Sequence, residues 1–360
     1  MKFMLRKKNH FIALAEFSGS HDECLYSQLY ALSSSGRRTI LICTQEVRDR
    51  NPHFENLVEE FILVAFSNSK FKNNRVLACI LKRLKQKRVS KLVLNTAQGA
   101  KVRNLCLMSL FSSLEFFGII HTTRKFKGSF TQKIINWKIK KYLLLSKHLM
   151  STVTAPNGIK VDYFYPIRYK GYAKSSLDNK TLEVAIIGGV ENRRKDLDGF
   201  IEMISNLEQG INFTFLGKSD PMHPDVMTFQ SSLEESKAKS QVKTFNHFVS
   251  QKEFNAHLMK TDAILPLIHP NTPSAEQYFK NQISGAMSVS FGYKIPMLIH
   301  EHYNQIEEMN MASIYYNLSS FRQRLSEKEQ LSKKRKEMEM SPLIDVELQE
   351  KRYLKFLFED

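Results

Sequence analysis

The sequence predicts an α/β protein built from two doubly wound domains in tandem, and three observations carry that expectation. Short apolar runs alternate with longer stretches of helical period over the first 145 residues. These runs are continuously apolar, as strands are when helices cover both faces of a parallel sheet. After a polar, turn-rich stretch at 168–180 the same alternation restarts near residue 182. A chain of 360 residues is long enough for two domains, each burying its own core.

In the first half, strands are expected at 11–15, 39–43, 61–65, 91–95, 117–121 and 142–145, rich in the β-branched and aromatic residues that suit a pleated sheet. Helical periodicity runs over 22–34, 74–87 and 102–115 between them. In the second half, strands are expected at 182–188, 212–216, 241–245, 262–266 and 296–299. Helices are expected there at 196–208, 225–238, 251–260 and 276–290. The resulting division is a basic first domain over 1–155, a linker over 156–180 and a second domain over 181–320. Two charged helices over 321–360 are expected to pack back toward the first domain. Two such Rossmann-like halves leave a cleft, and ligands of such sheets sit beyond the C-terminal strand ends.

Charge is divided unevenly. Residues 1–150 hold 27 Lys and Arg against 9 Asp and Glu, so the formal charge of +17 belongs to the first half. A half-basic chain points to a polyanionic neighbour, either nucleic acid or an anionic membrane surface. Hydrophobic residues at 42% and charged residues at 25% describe a globular chain. No apolar run approaches the roughly 18 residues that span a bilayer. Arg6, Lys7 and Lys8 precede an apolar stretch that stops at Glu16, too short for a signal peptide. Cys24, Cys43, Cys79 and Cys106 lie far apart, which fits reduced cysteines of a cytoplasmic protein and no metal site.

The positions just after strands supply the candidate site. Ser18-Gly19-Ser20-His21 follows the first strand, small residues that leave backbone N–H groups free to face a ligand. His121 ends the strand at 117–121, with Arg124, Lys125 and Lys127 beyond it. Gly188-Gly189 leads into Arg193-Arg194-Lys195-Asp196 at a helix start, a pattern suited to a diphosphate. It is not the GxGxxG fingerprint, and no acidic residue about 20 positions on points to NAD. Glu276 and Ser284 stand eight apart, with Tyr278, Lys280 and Gly285 beside them.

The order of these pieces resembles the GT-B superfamily of nucleotide-sugar glycosyltransferases, in particular its retaining family four. Ala155-Pro156-Asn157-Gly158-Ile159-Lys160-Val161-Asp162, with Phe164 and Pro166, is similar to the segment that bridges the two domains in that family. Val184 to Gly188 with Arg194-Lys195 resembles its donor-site strand and cations. Phe248-Val249-Ser250, Glu253 and Asp262-Ala263 resemble the stretch framing the nucleotide base. Gly292-Tyr293-Lys294-Ile295-Pro296 is similar to the close of the core motif. The chain departs from the family at Gly189, where an Arg is usual, and at Ser284, where a second Glu is usual.

The resemblance implies a GT-B fold, with two Rossmann-like domains facing across a cleft, and a retaining transfer from a nucleotide-diphosphate sugar without metal or cofactor. The implied roles place His121 and Glu276 near the transferred sugar and Lys195, with Arg193 or Arg194, on the departing diphosphate. Gly188, Gly189, Phe248, Tyr278, Lys280, Ser284 and Gly285 complete the implied donor side, and Ser18 to His21 lie on the acceptor side. A lipid-linked or glycan acceptor and peripheral attachment to the inner face of a membrane are expected. Two basic helices carry that attachment, one with Lys82, Arg83, Lys85, Lys87, Arg88 and Lys91, the other with Lys133, Trp137, Lys138, Lys140 and Lys141. A nucleic-acid binder is disfavoured by the lack of zinc-finger spacing, an RNP-like run or a helix-turn-helix. A catalytically inactive scaffold of the same fold is the alternative that Gly189 and Ser284 keep open.

Overall fold

The computed structural model describes residues 11–169, 181–205, 207 and 210–359. The chain divides into two compact units, one of residues up to Arg168 together with those from Glu347 onward, the other from Tyr169 to Val346. The first holds strands β1 (Ile12–Ala15), β2 (Thr39–Cys43), β3 (Glu60–Leu63), β4 (Lys91–Leu94), β5 (Glu115–Ile120), β6 (Lys141–Leu144) and β7 (Lys160–Tyr163). The second holds β8 (Leu182–Ile187), β9 (Ile211–Lys218), β10 (Val242–Phe245), β11 (Ala263–Ile264), β12 (Met297–His300) and β13 (Ser313–Tyr316).

Strand order is β3-β2-β1-β4-β5-β6-β7 in one sheet and β10-β9-β8-β11-β12-β13 in the other. Every pairing is parallel. Each sheet therefore starts at an inner strand, winds outward to one edge, then returns to wind the other way. The reversal lies between β1 and β4 in the first sheet and between β8 and β11 in the second. At such a switch point the connections leave in opposite directions and open a crevice at the C-terminal strand ends. Register places the ends together: Ala15 lies beside both Ile42 and Leu94, so Glu16 and Asn95 emerge as neighbours. Strands β1 and β2 are buried at every position, as helices on both sheet faces require. The second core centres on Phe200, Phe213, Phe215 and Phe229.

Several boundaries differ from expectation for local reasons. Strand β5 starts at Glu115, inside the helix expected over 102–115; that helix is Ala100–Met108. His121 thus follows the strand instead of ending it. The helix expected over 276–290 is two, Ala275–Lys280 and Gly285–Tyr293, because the Ser284 hydroxyl accepts from Ala286 N and starts a new helix. Strand β7 lies within the stretch expected as linker, and β13 and the helix Gln45–Arg50 were not expected. Among the described residues from Phe321 onward there are three α-helices, Phe321–Ser326, Lys328–Met340 and Val346–Phe358. Only the residues from Glu347 belong to the first unit. There Tyr165 N donates to Gln349 Oε1, and Arg168 and Arg352 pair with Glu350 and Asp162. The basic cluster Arg6-Lys7-Lys8, most of the turn-rich stretch and part of the end of the helix expected at 196–208 lie outside the described residues.

Candidate active site

At the first switch point a buried carboxylate organises the strand ends. Glu16, following β1, accepts from Ser18 N at 2.9 Å and Ser18 Oγ at 2.7 Å with one oxygen. Its other oxygen accepts from Asn95 Nδ2 at 2.7 Å and Thr96 Oγ1 at 2.6 Å, both following β4. Asn95 also donates to the His21 carbonyl and accepts from Gln28 Nε2. Four charge-assisted bonds satisfy Glu16, so its buried charge fixes the loop at 18–21. Arg50 closes that loop from outside, donating to the Gly19 carbonyl and pairing with Asp22 at 3.2 Å and with Glu46 at 3.0 Å.

His21 sits in the left-handed region at φ 67°, an uncommon conformation for a residue with a side chain. Its ring lies against that of His121, with centroids 4.0 Å apart. His121 Nε2–H donates to the Asn95 carbonyl at 2.8 Å, which leaves Nδ1 as the unprotonated nitrogen. Burial, then the neighbouring His21, pushes the His121 pKa down to about 4, so the ring is neutral at pH 7. The structure therefore brings together the loop from Ser18 to His21 and His121, which are a hundred residues apart in sequence. Two further buried atoms at strand ends here, Gln98 Oε1 and Thr122 Oγ1, have no hydrogen-bond partner among the described residues.

At the second switch point the polar centre is a cation. Gly188, following β8, has φ 90°, and a Cβ there would stand 3.1 Å from Lys195 Nζ. A Cβ on Gly189 would stand 2.0 Å from the Lys218 carbonyl oxygen, so this turn excludes any side chain at 189. The Arg usual at that position in the resembled family has no room. Lys195, the residue before the helix N-cap, instead lays its ammonium against the glycine turn. Lys195 is 6% exposed, and its ammonium has no hydrogen-bond or ion-pair partner among the described residues. Burial lowers its pKa to about 8. Glu191 pairs with the more exposed Arg193 and Arg194, at 3.2 and 3.4 Å.

Asp196 caps the helix Leu197–Ile204 through Gly199 N and meets His269 Nδ1 at 2.7 Å. His269 Nε2 is 2.7 Å from the Tyr316 hydroxyl, so a buried chain links the ends of β8, β11 and β13. The His269 hydrogen bond holds the Asp196 carboxyl below the usual carboxylate range. Between β11 and His269, Leu267 is fully buried in the left-handed region at φ 55°, and its carbonyl accepts from Asp196 N at 2.8 Å.

The remaining donor-side candidates are more open. Glu276 is 77% exposed at its side chain and pairs with exposed Lys280 at 2.8 Å. Burial raises the Tyr278 pKa, and the charges of Arg194, Glu191 and Arg193 act on its hydroxyl. Ser284 serves as a helix cap, and nothing lies within 4 Å of where a Gly285 Cβ would be. Phe248 is exposed beyond β10. No group of His, Cys, Asp and Glu able to hold a metal ion exists among the described residues.

Among solved structures, the chain is similar to a glycosyltransferase from Rickettsia africae ESF-5, at TM-score 0.69 and 13% identity over 98% of this chain and 100% of that one. Sucrose-phosphate synthase from Thermosynechococcus elongatus gives a TM-score of 0.67 at 11% identity over 97% and 98%. Anabaena HepE, solved with UDP-glucose, gives 0.69 at 9% identity over 96% and 99%. The fold is GT-B. No protein-family model matches the chain, and no curated protein matches it.

Within the GT-B frame, the glycine turn with Lys195 follows β8 at the second switch point, and the His21–His121 pair joins the loop after β1 to the residue after β5. Sequence reasoning missed Glu16, Asn95 and the Asp196–His269–Tyr316 chain. His269 follows an expected strand just as His121 does, and applying the same rule to it would have found it. Glu16 gave no signal beyond ending an apolar run.

Proposed function

We propose that the protein is a glycosyltransferase that moves a sugar from a nucleoside-diphosphate sugar to a lipid-linked or glycan acceptor, with retention of configuration, in building a cell-envelope polysaccharide. The observation that carries this reading is Lys195, a buried cation with no direct hydrogen-bond or ion-pair partner among the described residues, held against the glycine turn that follows a parallel strand. Burying an unpaired ammonium is unfavourable, so a fold that keeps one has a counter-anion to receive. The turn at Gly188-Gly189 has no side chain to screen that ammonium, and Arg193 and Arg194 stand nearby on the exposed side. A departing diphosphate is an anion of that kind, and neutralising it in the transition state is how such a site accelerates transfer.

His121 and Glu276 are assigned to the sugar, Phe248, Tyr278, Lys280, Ser284 and Gly285 to the nucleotide, and the loop from Ser18 to His21 to the acceptor. The three cations supply the positive charge, and no metal or cofactor is assigned. The enzyme would work in the cytoplasm, at the inner face of a membrane, with no nucleic acid as partner. Since the Anabaena neighbour was solved with UDP-glucose, uridine nucleotides head the screen. A thermal-shift screen of nucleoside diphosphates and their sugars tests the reading. One of them should raise the melting temperature of the protein, and the rise should vanish in Lys195→Ala. No rise with any of them would favour an inactive scaffold, a reading that the exposed Glu276–Lys280 pair and the capping role of Ser284 support.

A further inference from the structure

Of the large apolar side chains of the first unit that stand in water, Leu107, Met108, Phe111, Phe130 and Trp137 belong to two packed helices and the loop after the first of them. Phe111 is 98% exposed, Phe130 73% and Trp137 58%. Phe130, Lys133 and Trp137 lie at positions i, i+3 and i+7 of the helix Phe130–Lys138 and so share one face. All three are exposed, whereas Gln132, Ile134, Ile135 and Asn136 are buried on the other side. Leu107 and Met108 end the helix Ala100–Met108, which packs against this one. Lys138 Nζ donates to the Ser112 carbonyl at 2.8 Å and so holds the loop with Phe111 beside the end that carries Trp137. Apolar side chains grouped in this way mark a surface that something covers.

We propose that this face docks on an anionic bilayer, with the aromatic and aliphatic side chains entering the headgroup boundary and Lys133 among the lipid phosphates. Charge decides the occupant. The first 150 residues carry three times as many cationic as acidic side chains, which repels a second copy and attracts an anionic leaflet. Leu107 and Met108 offer no π-face to a nucleic-acid base but suit acyl chains, and tryptophan favours the interface. The helix at Lys70–Gln86 carries more of the charge expected to dock, but there Arg83 and Lys87 both pair with Glu60. The inference deepens the peripheral attachment proposed above and needs none of the donor chemistry.

Trp137 is the one tryptophan of the chain, so its emission reads this face in the unaltered protein. Vesicles of phosphatidylglycerol in phosphatidylcholine should shift that emission to the blue, and brominated acyl chains should quench it. Vesicles of phosphatidylcholine alone should do so much less. Phe111→Ser with Phe130→Ser should lower vesicle binding about tenfold or more while leaving the melting temperature and any donor-induced stabilisation unchanged. Emission that stays put while the protein sediments with vesicles would overturn the proposal, as would no sedimentation at all. A shift produced by an oligonucleotide or by raising protein concentration, without lipid, would overturn it in favour of those partners. A lost donor response with an intact Trp137 shift would sink the transfer reading alone.

Discussion

The two switch points do the same topological job with opposite electrostatics. In the first unit a buried anion, Glu16, is satisfied by four bonds from its own chain. In the second a buried cation, Lys195, has no direct hydrogen-bond or ion-pair partner among the described residues. A satisfied buried charge contributes shape, because every group around it is fixed by the bonds it makes. An incompletely satisfied one contributes capacity, because the Glu191 charge offsets its desolvation only in part and an anionic ligand can supply the direct bonds. The comparison teaches that position in the fold nominates a site, and the state of its hydrogen bonds tells scaffold from receptor.

The sharpest way to break the comparison is to remove each charge. Lys195→Ala should abolish donor binding in the thermal-shift assay, with a normal circular dichroism spectrum. Lys195→Met should in addition raise the stability of the ligand-free protein by about 1–3 kcal/mol, since it replaces an unpaired buried charge with an apolar chain of similar size. Near-normal turnover of either variant at saturating donor would place the diphosphate elsewhere. In the first unit the expected direction is reversed. Asn95→Ala strips one bond each from Glu16 and the His21 carbonyl and leaves Gln28 only the Cys24 carbonyl as acceptor, so urea unfolding should show a loss of about 2–4 kcal/mol. A loss below about 0.5 kcal/mol would mean that Glu16 is not the organising charge.

Two pH dependences sharpen it further. The folded pKa of Lys195, about 8, lies below its ordinary 10.5, so the unfolded chain binds more protons between those values. Stability should therefore rise as pH climbs from about 8 to 10.5, and donor affinity should fall over the same range as the ammonium discharges. Lys195→Met should remove both trends. The folded pKa of His121, about 4, lies below 6.5, so its contribution is present above 6.5 and is lost as pH falls toward 4. His121→Asn should flatten that acid limb. The smallest expected effect is at Ser284: Ser284→Ala should cost about 1 kcal/mol through the lost cap, which Ser284→Asp restores. A change in donor affinity that Ser284→Asp does not restore would show that the hydroxyl also touches the nucleotide.

Much of the fold was legible because burial on both faces leaves continuous apolar strands such as Thr39–Cys43. Strand β7 was not, since its sequence, Lys160 to Tyr163, is exposed or half-buried throughout and reads as polar. The break at 281–284 was hidden because a serine reads equally as a helix interior or a cap until its backbone is known. At the site, glycines and cations after strands were legible as types, but pairing was not. The Glu276–Lys280 pair, four apart on one helix, was within reach of sequence spacing, but nothing showed that Asp196 would meet His269 some seventy residues on. Such partners depend on strand order, which one-dimensional spacing does not carry.

The return of the chain to the first unit has a consequence for how the protein comes into being. Gln28 meets the Tyr353 hydroxyl at 3.3 Å, and Tyr165 meets Gln349, so the first unit is completed by residues made after all of the second. During synthesis the second unit, contiguous from Tyr169 to Val346, can close while the first still waits for its last helix. The basic, aromatic-bearing half is therefore the last to mature, and the piece ending at Arg168 is an unfinished body that needs the helix Val346–Phe358 to seal it.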